Sequence, residues 1–284
     1  MSRRGFVLGG LAAVIAGIGG TGVAATQPRG RRLLHDGGLL LGDDHPPPRL
    51  PPDRRPAVEY RRFESRWMRG SVSYAVARPP GVDGPVPVVF CLHGRGADDS
   101  FPVEVIRFQD FLAAAGVPVA VAAPDGGPAN YWHPRRSGRN PYGMLVEEFV
   151  PLVDRDVGNG RRGLLGWSMG GYGALLAAER NAATFAAVAL ASPALWRRFD
   201  ETAPGAFDDE RDFRAHDVFT ATDRLGDIPL RADIGRDDPF LPGFRDLRTF
   251  LPDATFTISP GFHDAAYWRS VAPRQVAFFA EHLV

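Results

Sequence analysis

From residue 57 onward the spacing of apolar positions switches repeatedly between two periods. Val58, Tyr60 and Phe63, then Val72, Tyr74 and Val76 beyond Gly70, recur near the two-residue period of half-buried strands and predict an antiparallel pair. Residues 86–92 are a short apolar run rich in β-branched side chains, fit for a strand covered on both faces. Helical spacing over 101–115 and a second buried strand over 117–123 follow. The alternation continues with helix 142–153, strand 163–167, helix 170–180 and strand 185–191. It then breaks at a charged stretch, about 193–226, that reads as an insert over the sheet edge. Strand 230–234, helix 243–250, strand 255–258 and helix 266–282 close the chain. The expected fold is α/β: a mostly parallel central sheet, helices on both faces, antiparallel strands at its N-terminal side.

Ahead of this domain, expected over 57–284, two segments lack core patterning. Ser2-Arg3-Arg4-Gly5-Phe6-Val7 resembles a twin-arginine signal, and it leads into a Gly/Ala-rich apolar stretch ending in the small residues Val23-Ala24-Ala25. Residues 1–25 are therefore read as an export signal directing the protein to the cell envelope or beyond, with an uncleaved anchor as the alternative. After cleavage no stable membrane insertion is expected. Residues 26–56, with His45-Pro46-Pro47-Pro48 and Pro51-Pro52, read as an extended Pro-rich linker.

Composition narrows the partners. Basic and acidic residues balance at 33 each, which removes the electrostatic case for nucleic acid. All the cations are arginine, a trait of G+C-rich coding more than of function. Arg135, Arg136 and Arg139 could meet an anionic substrate, or simply sit in a solvated loop. The single cysteine, Cys91, lies in the run 86–92 and reads as a buried structural thiol, so no intramolecular disulfide forms.

Gly166-Trp167-Ser168-Met169-Gly170 sits where strand 163–167 should turn sharply into helix 170–180. That is the context of a nucleophile elbow, in which a strained serine stands clear of the sheet edge and flanking glycines let neighbouring backbone approach. A chain with 33 glycines can produce the pattern by chance, so its weight depends on its company. A serine needs a base, and the base an orienting carboxylate; in elbow folds both follow the serine, in loops after later strands. Of the three histidines after Ser168, His216 falls in the insert and reads as a surface residue, and His282 sits at the C-terminus. His263 lies between the last strand and the last helix, where the base belongs. For the acid, Gly235-Arg236-Asp237-Asp238 follows strand 230–234, and Asp238 is preferred over Asp237; Asp233, on the strand, is poorer.

The oxyanion of an acyl-transfer intermediate needs preorganised amides. Met169, after the serine, supplies one, and Arg95, in the loop Leu92-His93-Gly94-Arg95, is the second candidate. His93 is read as ordering that loop, and no metal or other cofactor is expected. Trp132, with Trp167, is a candidate for lining a substrate pocket; packing within its own loop is the equal alternative for Trp132.

These pieces together resemble the esterase branch of the α/β-hydrolase superfamily that includes esterase D, S-formylglutathione hydrolase and the antigen 85 mycolyltransferases. The resemblance spans about 57–284 and rests on Leu92-His93-Gly94, the elbow, Gly235 to Phe240, and Gly261-Phe262-His263 with Tyr267-Trp268. It implies Ser168 as nucleophile, Asp238 as orienting acid, His263 as proton carrier, and a small-molecule or lipid ester as substrate. Hydrolysis through an acyl-enzyme is the expected activity, with acyl transfer by the same triad, or a non-catalytic binding role, as alternatives. The mycolyltransferases carry Glu as acid and Asp-Gly where this chain has His93-Gly94, a departure that counts against mycolyl transfer.

Overall fold

The computed structural model describes residues 28–36 and 44–284. The chain divides into two units, Met1–Leu41 and Gly42–Val284. The segment read as an export signal lies outside the described residues. Of the first unit only a helix, Pro28–Asp36, is described. It corrects the expectation of an extended linker. Proline at the first helical position costs nothing, because its missing N–H has no helical partner there, and Arg31, Arg32, Leu33 and Leu34 are good helix formers. The later linker residues are tied down too. Arg269 Nε donates to the His45 carbonyl at 2.6 Å and Arg54 donates to the Ala113 carbonyl at 3.1 Å. Among the described residues no helix is long and apolar enough to cross a membrane.

The second unit is built on an eight-stranded sheet: β1 (Val58–Ser65), β2 (Gly70–Ala77), β3 (Val86–Leu92), β4 (Ala120–Pro124), β5 (Gly158–Trp167), β6 (Ala187–Ala191), β7 (Leu230–Gly235) and β8 (Thr255–Ser259). Their order is β1-β2-β4-β3-β5-β6-β7-β8. The hairpin β1–β2 pairs with Phe63 opposite Val72, and β2 joins β4 antiparallel; every later pair is parallel. The connecting helices are α1 (Phe108–Ala114), α2 (over 141–156), α3 (Met169–Arg180), α4 (Glu210–Ala215), α5 (Leu241–Phe250) and α6 (Ala265–Leu283).

Two apolar layers sandwich the sheet, and alternation along each strand assigns residues to them. Val88, Phe90, Leu92 and Leu164 face α2 and α3, while Val89, Cys91, Leu165 and Trp167 face α1 and α6. All seven residues of β3 are buried, each large side chain contributing about 1.5–3 kcal/mol. Cys91 belongs to this core, and burial pushes its thiol well above the ordinary range.

Element ends moved where local chemistry intervened. The helix expected over 101–115 is divided: a π turn, Phe101–Ile106, ends at Arg107, whose left-handed φ of 60° restarts the chain into α1. The strand expected from 117 starts at Ala120, because the Val117 amide closes α1 on the Leu112 carbonyl and Pro118 has no N–H for a ladder. The insert is less peripheral than its charges suggest. Phe207, Phe213, Val218 and Phe219 are buried in the same layer as α3.

The turn from β5 into α3 is packed backbone against backbone. Ser168 adopts φ 54° and ψ −114°, a conformation costly for a non-glycine residue and sustained only by its surroundings. A β-carbon on Gly166 would lie 2.0 Å from the Gly170 carbonyl oxygen, and one on Gly170 would lie 1.9 Å from the Leu92 carbonyl oxygen. Backbone occupies the space any side chain would need. Gly170→Ala should therefore cost about 3 kcal/mol or displace the elbow, as read by denaturant unfolding. Gly94→Ala, whose added carbon meets only ordinary contacts at 3.4–3.5 Å, should stay within about 1 kcal/mol.

One buried acid on α3 works against stability. Glu179 is 3% exposed, its Oε1 has no hydrogen-bond partner, and burial, with the charge of Asp217 adding, pushes its carboxyl up from 4.5 to about 9. The unfolded chain releases this proton first, so the contribution is full below 4.5 and declines as pH rises towards 9. Glu179→Gln should raise the unfolding temperature at pH 8 and flatten its fall between pH 5 and pH 9, the gain at pH 8 being about 1–3 kcal/mol. An unchanged pH slope in the variant would contradict this account.

Candidate active site

The carboxyl ends of the parallel strands bring four loops to one edge, the usual place for a ligand site in an open α/β sheet. Ser168 ends β5, the His93-Gly94-Arg95 loop ends β3, Asp238 follows β7 and His263 follows β8. The Ser168 amide is held by the Ala191 carbonyl at 2.9 Å, and its own carbonyl accepts from Tyr172 at 3.1 Å and Ala194 at 3.0 Å. These bonds aim the side chain outward while leaving the residue 9% exposed.

The last two loops are zipped to one another by backbone. Arg236 N–H donates to the Ser259 carbonyl at 2.8 Å and Asp237 N–H to the Gly261 carbonyl at 3.0 Å. That contact is possible because position 235 is glycine: a β-carbon there would stand 2.4 Å from the Gly261 oxygen. The zipper sets Asp238 against the histidine. His263 Nδ1 donates to Asp238 Oδ2 at 2.7 Å, and Ser168 Oγ donates to His263 Nε2 at 2.9 Å. The Asp238 Oδ1 is filled by the Phe240 amide at 2.8 Å, so the carboxylate cannot turn away. Asp238 is 1% exposed, which strengthens its grip on the imidazole by excluding water.

The imidazole plane is fixed by rings on two sides. Phe240 and Trp268 each meet it edge-on at 5.1 Å between centroids, and Trp268 Nε1 is anchored on Ser192 Oγ at 3.0 Å. Asp233, the poorer acid candidate, is committed elsewhere. It pairs with Arg231 at 2.6 Å and accepts from Gln275 at 3.3 Å, while burial raises its carboxyl.

The loop after β3 lies directly on Ser168, a β-carbon on Gly94 being 3.5 Å from that of the serine. Its shape is held by His93, which is fully buried. Nδ1 lies 2.9 Å from the Gly94 carbonyl and Nε2 accepts from the Gly126 amide at 3.0 Å, so both ring nitrogens are engaged in shaping the loop. The Arg95 amide forms no hydrogen bond with another backbone group, and the Met169 amide opens α3, where the helix dipole favours negative charge. Arg95 also reaches across the cleft to the Pro204 carbonyl at 3.1 Å.

The two tryptophans expected to line a pocket do not. Trp132 is 1% exposed and packs against Gly126 and Gly173, donating to the His93 carbonyl at 3.3 Å. Trp167 is wholly buried beneath the sheet against Phe101 and Phe108. Side chains on adjacent strand positions face opposite layers, so Trp167 points away from the face on which α3 lies. The rings that flank the site come from parts of the chain distant in sequence. Trp196 meets Phe240 at 5.4 Å and Tyr131 at 5.3 Å, and Phe240 meets His263. Burial pushes the Tyr131 phenol up to about 12, with Arg95 opposing. Trp196 and Phe240 carry no motif; only their positions just after β6 and just after Asp238 hinted at a place near the site.

Arg135 and Arg136 are not poised for an anion. Asp208 binds Arg135 at 2.8 Å and Asp209 binds Arg136, tying that loop to the insert. His216, expected on the surface, is instead half-buried, its ring 4.5 Å from that of His133.

Esterase Rv1288 of Mycobacterium tuberculosis is 32% identical over 125 residues, an alignment covering 39% of this chain and 26% of that protein. The chain thus spans about a quarter of the length of that curated relative. Among solved structures, a ferulic acid esterase superposes with a TM-score of 0.70 at 21% identity, covering 80% of this chain and 98% of the other. An S-formylglutathione hydrolase from Agrobacterium tumefaciens gives 0.68 at 18% identity over 81% and 97%. MPT51 of Mycobacterium tuberculosis gives 0.63 at 15% identity over 80% and 100%. At these identities the neighbours establish the α/β-hydrolase fold, and residues 65–271, well over half of the chain, match the model of the family described as "Putative esterase", so the chain belongs to that esterase family.

Proposed function

We propose that the protein is a serine carboxylic-ester hydrolase working through an acyl-enzyme. The observation that carries the reading is the continuous relay Asp238–His263–Ser168, with bonds of 2.7 and 2.9 Å, at a strained elbow beside two candidate oxyanion amides. His263 takes the Ser168 proton as Oγ attacks the ester carbonyl, and Asp238 stabilises the imidazolium so formed. The amides of Met169 and Arg95 receive the developing oxyanion. His263 then protonates the leaving alcohol. A water deprotonated by the same nitrogen attacks the acyl-enzyme, and the proton returns to Ser168 as the acid leaves. The partly exposed rings of Trp196 and Phe240, backed by the buried Tyr131, support an ester with a flat apolar group, because they offer apolar contact area beside His263.

Export through the twin-arginine-type segment belongs to the same reading. It is supported by Arg3-Arg4 ahead of the apolar stretch and by a core whose one cysteine needs no oxidising compartment. Fusion of residues 1–56 to a reporter should direct export, and Arg3→Lys with Arg4→Lys should block it.

A fluorophosphonate probe should label the folded protein and leave Ser168→Ala unlabelled. Hydrolysis of p-nitrophenyl esters should fall by at least about 10³-fold in Ser168→Ala and about 10³–10⁴-fold in Asp238→Asn. A folded wild type that neither labels nor hydrolyses would overturn the proposal. Trp196→Ala should raise KM for aromatic acyl esters about 3–10-fold over acetate esters, which steady-state kinetics would read directly. Product analysis with sugar and lipid alcohols present separates hydrolysis from transfer.

A further inference from the structure

Beside the cleft, three side chains converge that the ester chemistry does not use. His133 comes from the loop after β4 and is fully buried, while Asp212 and His216 lie one helical turn apart at α4 in the insert. Asp212 Oδ1 is 3.0 Å from His216 Nδ1 and 3.7 Å from His133 Nδ1, and one ligand atom from each residue falls within 4.8 Å of the others. An ion bound tetrahedrally at 2.0–2.2 Å separates its ligand atoms by roughly 3.3–3.6 Å, which these spacings bracket.

The hydrogen bonds around His133 supply the second observation. Both of its ring nitrogens face oxygen, and Nε2 lies 2.9 Å from the Ala206 carbonyl. Nδ1 faces the Pro134 carbonyl at 2.9 Å and Asp212 Oδ1 at 3.7 Å, and a neutral imidazole has only one N–H to share between the two sides. Whichever nitrogen lacks the proton sets its lone pair against oxygen lone pairs, and a metal at Nδ1 with Nε2–H on the Ala206 carbonyl relieves that repulsion. A histidine donating Nε2–H to a backbone carbonyl while its other nitrogen faces a carboxylate has the outer support of a metal ligand.

We propose that His133 Nδ1, Asp212 Oδ1 and His216 Nδ1 form a binding site for a divalent transition ion of the zinc type. Two imidazoles and one carboxylate suit such an ion, and the Pro134 carbonyl or a water completes four ligands. Binding displaces the proton that His216 Nδ1 otherwise directs at the Asp212 carbonyl, 2.9 Å away, and that proton leaves to solvent. The other Asp212 oxygen is already filled by the Asp208 amide at 2.8 Å, which turns Oδ1 towards the histidines.

The ion would serve as a structural pin. It joins the loop carrying Tyr131 to the insert through His133, whose ring stacks on Phe207 at 5.0 Å; Phe207 in turn stacks on Tyr131 at 6.2 Å. Binding therefore stiffens the aromatic wall without touching Ser168, and the proposal stands whether or not the protein hydrolyses esters.

The test uses the untagged full chain, stripped with EDTA and titrated with Zn²⁺ against a chromophoric chelator. One ion per chain is expected, with an unfolding temperature raised by about 5–10 °C at a hundredfold excess over Kd. Co²⁺ in place of Zn²⁺ should give visible bands of a four-coordinate site. His216→Gln and Asp212→Asn should each weaken uptake more than about tenfold, while His45→Gln leaves it unchanged. Circular dichroism of the metal-free variants checks that they are folded; should Asp212→Asn fail to fold, the exposed edge of the site tested by His216→Gln decides. Absence of stoichiometric uptake by folded wild type, or undiminished uptake in folded His216→Gln, overturns the proposal.

Discussion

Everything at the candidate active site depends on a backbone contact: the first turn of α3 is pressed against the end of β3 so closely that the Leu92 oxygen occupies the place of a side chain at residue 170. That contact holds Ser168 in a conformation it would otherwise abandon, and strain of this kind survives only where packing over-determines it. The same contact brings the β3 loop, with Gly94 and Arg95, onto the nucleophile. A second close approach, Gly235 against Gly261, does for the acid and base what the first does for the serine. The site is thus assembled from pairs of backbones that touch, and its side chains follow.

Around that rigid floor the walls are built differently. Trp196 and Phe240 approach the site from two separate connections with the buried Tyr131 behind them, and the insert that carries Phe207 is bound to the 130s loop by ion pairs and by the His133–Asp212–His216 cluster. A floor of fixed backbone and walls of loops joined by side chains separates the demands of catalysis from those of specificity. The first tolerates little change, and the second can be re-lined without disturbing the relay.

Much of this was legible in one dimension. The five residues around Ser168 announced a turn because glycine before and after a serine, between an apolar run and a helical one, has few other physical uses. Chain order then selected His263 from three histidines, and Gly235 marked where the strand must turn to present Asp238. The pocket aromatics were not legible. Trp132 and Trp167 stand beside catalytic motifs in sequence yet are buried, whereas Trp196 lies 28 residues beyond the serine and meets the site through Phe240. His216 was misplaced for a related reason: a charged stretch conceals residues whose one helical face turns inward.

What the sequence determined by itself was the order of elements, the strained turn and a short set of candidate side chains around it, because these rest on local spacing and on which residue types tolerate a given backbone. The tertiary structure alone decided which rings flank the site and that His133 faces Asp212 and His216. Those outcomes are set by contacts between segments tens of residues apart, and no local pattern of hydrophobic and polar positions encodes a distance through space.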